Sequence, residues 1–285
     1  WYILGEPNVN FTYMTGTRFA SMFHYISTQL KIGDPTAKIV SPSMLNWDFV
    51  CIGCPGYELG KSWLKNFIEA YFVKYGGVMP PIDVWSIDLY PIDWVNTPNN
   101  SPSLRPIYIP GAGPINFKGG GTSKHSAVAV QQLVSMRQYL DTIAYYDNTP
   151  IWITEMAVHV GYDPQDWVHK STGQPCNIIQ VISNECDLPS TDLYYWDYIS
   201  NYIIEVLDWM DANAETYGVE RWFFYKSHRD LVNIANDGYM GISFFDDREV
   251  GAQPNCLGET YRTRSLGLSR MKCDAVGNIV PVDPP

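Results

Sequence analysis

The sequence predicts an α/β fold built on a parallel sheet, and three observations predict it. Five short apolar or aromatic runs alternate with segments of helical period, in the order β, α, β, α, β, α, β, α, β. The runs mostly lack strict apolar–polar alternation, which suits strands buried on both faces. The Pro-, Gly- and Asn-rich stretches 90–124 and 156–190 each follow a strand directly. In α/β folds such loops, at the C-terminal ends of strands, build the active site.

Taken in order, the first predicted strand is Tyr2–Leu4. A helix over Arg18–Leu30 follows, with Phe19, Met22, Phe23, Ile26 and Leu30 on one face. Ala37–Ser41 is the second strand. Ser62–Tyr75 repeats the helical period through Leu64, Phe67, Ile68, Tyr71 and Phe72. Ile82–Tyr90 is the third strand, and Ser126–Tyr145 the third helix, with Val130, Leu133, Val134, Met136 and Leu140. Pro150–Thr154 is the fourth strand. A long helix over Asp192–Tyr217 carries Ile199, Ile203, Val206, Leu207 and Met210, and Glu220–Tyr225 is the fifth strand. Val280–Pro285 is expected to fray or to begin a linker.

Composition narrows the function. The 285 residues carry a formal charge of −11, which argues against nucleic acid and anionic membrane as partners. No apolar run reaches the roughly 18 residues a membrane span needs. Charged residues are only 17 % and hydrophobic ones 46 %, which excludes disorder over most of the chain. Ten Trp, 20 Tyr and 11 Phe suit a secreted protein that handles neutral polar ligands such as sugars, although a Tyr- and Trp-rich core explains many of them equally well. An even count of six Cys suits disulfides in an oxidising compartment. Cys176–Cys186 and Cys256–Cys273 are natural local pairs. Cys51 and Cys54 form a C-x-x-C with no second such motif to complete a zinc site. Asn10 and Asn99 open glycosylation sequons.

Two carboxylates stand where strands should end. Glu6 follows the first strand in YILGEPN, and Glu155 follows the fourth in PIWITEM. An acid directly after an apolar run must be paired, hydrogen-bonded or functional. Two such acids on parallel strands face one mouth, the arrangement glycoside hydrolysis requires. The competing reading is a pair of structural carboxylates. His159 and His228 are loop residues, and the glycines at 119–121 have no preceding strand and read as a loop tip. No nucleophile elbow, P-loop or dinucleotide-binding motif occurs.

At these residues the sequence resembles the clan A glycoside hydrolases. GEPN (5–8) and WITEM (152–156) are similar to that clan's acid/base and nucleophile motifs. Segment 34–40 (DPTAKIV) resembles the entry to its strand five, 83–91 (DVWSIDLYP) its strand six, and 220–225 (ERWFFY) its strand eight. The segment 257–261 (LGETY) resembles the start of its last helix. The resemblance implies a (β/α)8 TIM barrel of which strands four to eight are present. Residues 1–279 would form the catalytic domain, truncated at its N-terminus, and 280–285 a tail. It implies a retaining mechanism on a β-linked oligo- or polysaccharide, with Glu6 as acid/base, Glu155 as nucleophile and no cofactor or metal.

By position, Tyr90 matches the residue that hydrogen-bonds the nucleophile, and Trp222 or Tyr225 the aromatic platform under the sugar. Asp88 stands where the clan often has His, and would raise the acid/base pKa by like-charge repulsion. Gly5 stands where the clan has Asn. Trp47 with Asn46 and Asp48, Trp94 with Asp93, and His228 are further candidates to line the substrate. Five strands cannot close an eight-stranded barrel, so a fragment that is poorly soluble or inactive alone is expected. The rival readings are a non-catalytic carbohydrate-binding barrel and a scaffold domain.

Overall fold

The computed structural model describes residues 1–9, 14–45, 47–48, 58–90, 106–109, 113–116, 123–157, 168–174, 180, 185–187, 196–225, 244–245, 251–274 and 276–282. Helix α1 (Gly16–Gly33) begins at Thr15, whose hydroxyl accepts the Arg18 amide at 3.3 Å. Its inner face meets α2 (Gly60–Lys74) through Phe19, Phe23, Trp63, Phe67 and Tyr71, with ring centroids 5.2 to 6.3 Å apart. Gly16 permits this approach: a Cβ there would lie 2.5 Å from the Phe67 amide nitrogen.

Strand β1 (Trp85–Leu89) is buried at every position, including the polar Ser86 and Asp88 that alternate with its apolar residues. A two-stranded antiparallel hairpin, β2 (Pro106–Ile109) with β3 (Gly113–Asn116), lies within the stretch predicted as loop. Helix α3 (Ser123–Asp141) leads to β4 (Ile151–Met156) through a turn that Arg137 pins. Its guanidinium is almost fully buried. It donates to the Thr149 carbonyl at 2.8 Å, to the Tyr146 carbonyl at 3.0 Å and to Asp141 at 2.7 Å.

The second long loop also contains an antiparallel pair, β5 (Val168–His169) with β6 (Cys186–Asp187). Helix α4 (Trp196–Asn213), strand β7 (Val219–Phe224), helix α5 (Cys256–Ser265), and the hairpin of β8 (Met271–Cys273) and β9 (Ile279–Pro281) complete the described elements. Val280 and Pro281 are therefore paired in a strand rather than frayed.

The fold is α/β. β1 and β4 pair in parallel, and β7 lies on the other side of β4. Parallel bridges join Tyr2 to Val40, Gly5 to Ser43, Val40 to Val84 and Met44 to Ile87. Spatial order thus repeats chain order across five segments. The first two segments make isolated bridges instead of the predicted strands. In the first, Leu4 takes φ 68° and Glu6 φ 47°, left-handed values that break extended backbone.

The chain divides into two units. The first comprises Trp1–Tyr90, Ala129–Met156 and Ala212–Phe223, and holds the parallel segments. The second comprises Pro91–Val128, Ala157–Asp211 and Phe224–Pro285. Within it a disulfide joins Cys256, at the start of α5, to Cys273, at the end of β8, as the sequence spacing suggested. Arg264 bridges Asp208 and Asp211, and Arg270 also reaches Asp208. Cys186 is disulfide-bonded as well. Cys51, Cys54 and Cys176 lie outside the described residues, as do Asn10 and Asn99.

Candidate active site

The C-terminal ends of three parallel segments bring three carboxylates together. One oxygen from each of Glu6, Asp88 and Glu155 lies within 4.8 Å of the other two. Glu6 stands at the end of the first segment, its amide bonded to the Ser43 carbonyl at 3.0 Å. Its own carbonyl accepts the Val9 amide, which closes a turn. Asn8 anchors that turn. Its buried side chain donates to the carbonyls of Leu45 and Glu58 and accepts the Leu45 amide. Left-handed backbone at Leu4 and Glu6 costs about 1–3 kcal/mol each, strain of the kind that clusters at functional sites.

Asp88 and Glu155 are neighbours because β4 bulges. Ile87 pairs with Ile153, but Asp88 pairs with Glu155, so Thr154 is the extra residue. Regular pairing would set Thr154 beside Asp88. The bulge instead advances Glu155 by one place, and it leaves Thr154 close enough for its hydroxyl to donate to Asp88 at 2.6 Å.

Asp88 is only 1 % exposed, and each of its oxygens accepts a hydroxyl: Oδ1 from Thr154, Oδ2 from Ser43 at 2.6 Å. Tyr90, also buried, donates its phenol to Glu155 at 2.7 Å. Gln132 from α3 fixes Tyr90 by donating to its carbonyl at 3.0 Å.

These surroundings favour protons on the cluster. Burial first, then the charges of Asp88 and Glu155, push Glu6 up to about 8. Burial, then Glu155, lifts Asp88 to about 7 against its hydrogen bonds from Ser43 and Thr154. Burial and the adjacent Glu155 hold the Tyr90 phenol well above its usual value. Among the described residues, this trio is the group of acidic, His or Cys side chains close enough to share a metal ion. Three of its six oxygens already accept hydroxyl protons, and the arrangement suits acid–base work: a protonated Glu6 beside an accepting Glu155.

The structure therefore gathers Glu6, Asp88, Tyr90 and Glu155. Trp222 and Tyr225 are half-buried on β7 and just beyond it. Trp47 corrects the sequence reading. It is 0 % exposed, its indole donates to Ser135 and its ring packs on Tyr139, so no face is open to a sugar. Asp48 accepts from the same Ser135 and supports that contact. Trp94, His228, Asn46, Asp93, His159 and the glycines at 119–121 lie outside the described residues. Sequence reasoning missed Tyr2, Ser43 and Thr154. Only Thr154, adjacent to Glu155, offered a signal.

No protein-family model matches the sequence, and no curated protein matches it. Among solved structures it is similar to a GH128 (subgroup II) endo-β-1,3-glucanase from Pseudomonas viridiflava. The identity is 17 % and the TM-score 0.49, over 94 % of this chain and 69 % of that one. A glucosidase from Croceicoccus marinus is 13 % identical with a TM-score of 0.48, over 97 % of this chain and 43 % of that one. A GH51 α-L-arabinofuranosidase from Thermotoga petrophila is 14 % identical with a TM-score of 0.43, over 81 % of this chain and 34 % of that one. These solved structures are glycoside hydrolases. The chain spans less than half the length of the second and third.

Proposed function

We propose that the chain is catalytic sequence of a retaining glycoside hydrolase that cleaves a β-linked oligo- or polysaccharide. The observation that carries this reading is the distance. Glu6 and Glu155 present oxygens no more than 4.8 Å apart. Retaining enzymes hold their carboxyl groups about 5–5.5 Å apart, whereas inverting ones leave about 6.5–9.5 Å for a water. Five segments whose spatial order repeats their chain order further support a singly wound β/α barrel, with these segments as strands four to eight.

In the first step a Glu155 oxygen attacks the anomeric carbon while the bond to the leaving oxygen breaks. Glu6 gives its proton to that oxygen, and a glycosyl ester forms on Glu155. In the second step Glu6, now ionised, takes a proton from water as that water attacks the same carbon. The ester breaks and both carboxyl groups return to their starting states. Tyr90 orients Glu155 for attack. Burial, and then the charge of Asp88 beside it, keep Glu6 protonated between turnovers.

The test is hydrolysis of a panel of β-linked oligosaccharides, with the first-formed anomer followed by NMR. Retention of configuration is expected. Glu6→Gln and Glu155→Gln should each lower turnover, Glu6→Gln by about 10²–10⁴-fold. Inversion, or hydrolysis untouched by both changes, overturns the reading. Sugar binding without hydrolysis favours the carbohydrate-binding alternative.

A further inference from the structure

The hydroxyl chain behind Asp88 has no place in the two chemical steps. Tyr2, in the first segment, is 47 % exposed, yet its hydroxyl lies 2.5 Å from the Ser43 hydroxyl. Ser43 is 0 % exposed and gives its single proton to Asp88. With the Ser43 proton on Asp88, the Tyr2 hydroxyl is the donor to Ser43, which gives the chain Tyr2 Oη–H to Ser43 Oγ–H to Asp88 Oδ2. The Tyr2 hydroxyl also bonds Thr154, the second donor to Asp88.

Gly5 makes room for this chain. A Cβ at Gly5 would fall 2.8 Å from the Tyr2 hydroxyl oxygen and 3.8 Å from Ser43 Oγ. The Tyr2 hydroxyl thus occupies the space a side chain beside Glu6 would take.

We infer that Tyr2 and Ser43 are positioning residues that hold Asp88 as a hydrogen-bond acceptor, so that the shared proton of the three carboxylates resides on Glu6. The inference rests on the acid/base reading of Glu6. Ser43 and Thr154 each commit a proton to Asp88, and an oxygen that already accepts a short hydroxyl bond is a poor place for another proton. The charges acting on Glu6 are those of Asp88 and Glu155. The same two carboxylates act on Tyr2. With the chain broken, Asp88 takes the proton more readily, its repulsion of Glu6 fades, and Glu6 ionises earlier.

The experiment is a carboxyl-carbon NMR titration of the full 285-residue chain, with the Glu6 signal assigned by its loss in Glu6→Gln. In the unaltered chain Glu6 should titrate near about 8. Its midpoint should fall by about one pH unit in Asp88→Asn and by about half a unit in Ser43→Ala and Tyr2→Phe. Gly5→Ala, which removes no hydroxyl but displaces that of Tyr2, should behave like Tyr2→Phe and stands in for any variant that does not fold. An unchanged midpoint in Ser43→Ala, Tyr2→Phe and Gly5→Ala overturns the inference, even where Asp88→Asn moves it. The titration needs no substrate, so a chain that hydrolyses nothing ends the glycosidase reading and leaves this result legible.

Discussion

At the scale of single residues, burial and mutual repulsion keep protons on two of the three carboxylates. Folded Glu6 and Asp88 both hold protons to higher pH than they would in the unfolded chain. Between the ordinary carboxylate range and about 7–8 the native state therefore binds more protons, and stability is lost as pH rises through that window. Melting temperature should be higher at pH 5 than at pH 8, and Glu6→Gln should flatten the dependence; a flat profile in the unaltered chain counts against the site. Thr154→Val leaves an Asp88 oxygen without its donor and should cost about 1–3 kcal/mol in denaturant melts. Glu6 and Glu155 were readable because each acid ends an apolar run, a pattern that demands a reason. Ser43 and Tyr2 were not, since nothing local to a serine or tyrosine says that it faces an aspartate on another strand. Trp47 was misread for the converse reason: an indole suits a sugar face or a core equally, and only packing decides.

At the scale of elements, the helices were the most legible, because α1 and α2 write their buried faces into a 3.6-residue period. β1 was legible as a strand from its apolar and aromatic residues, although nothing in its pattern said that Ser86 and Asp88 are buried too. The first two segments were not distinguishable from strands, because left-handed backbone at Leu4 and Glu6 leaves no mark on the hydrophobic pattern. The bulge at Thr154 was equally silent, although it decides which acid meets Asp88. The turn between α3 and β4 depends on one cation. Arg137→Leu would strand two carbonyls and should cost about 3 kcal/mol, read as a lower denaturant midpoint at unchanged slope.

At the scale of the whole molecule, the Cys256–Cys273 disulfide closes a 17-residue separation in the sequence. In the chain-entropy picture a loop of that size stabilises by about 3 kcal/mol. Cys256→Ser with Cys273→Ser should lower the denaturant midpoint by a matching amount, and reduction, which also opens the Cys186 bridge, by more. The sheet has a second property at this scale: each parallel segment lies beside the one made just before it. Order of emergence from the ribosome is therefore also order across the sheet. Glu6 emerges first, then Ser43, then Asp88 with Thr154 still to come, and Glu155 last. The three carboxylates thus meet only once the last of them has been made, while β7, the strand that flanks Glu155, is still to come.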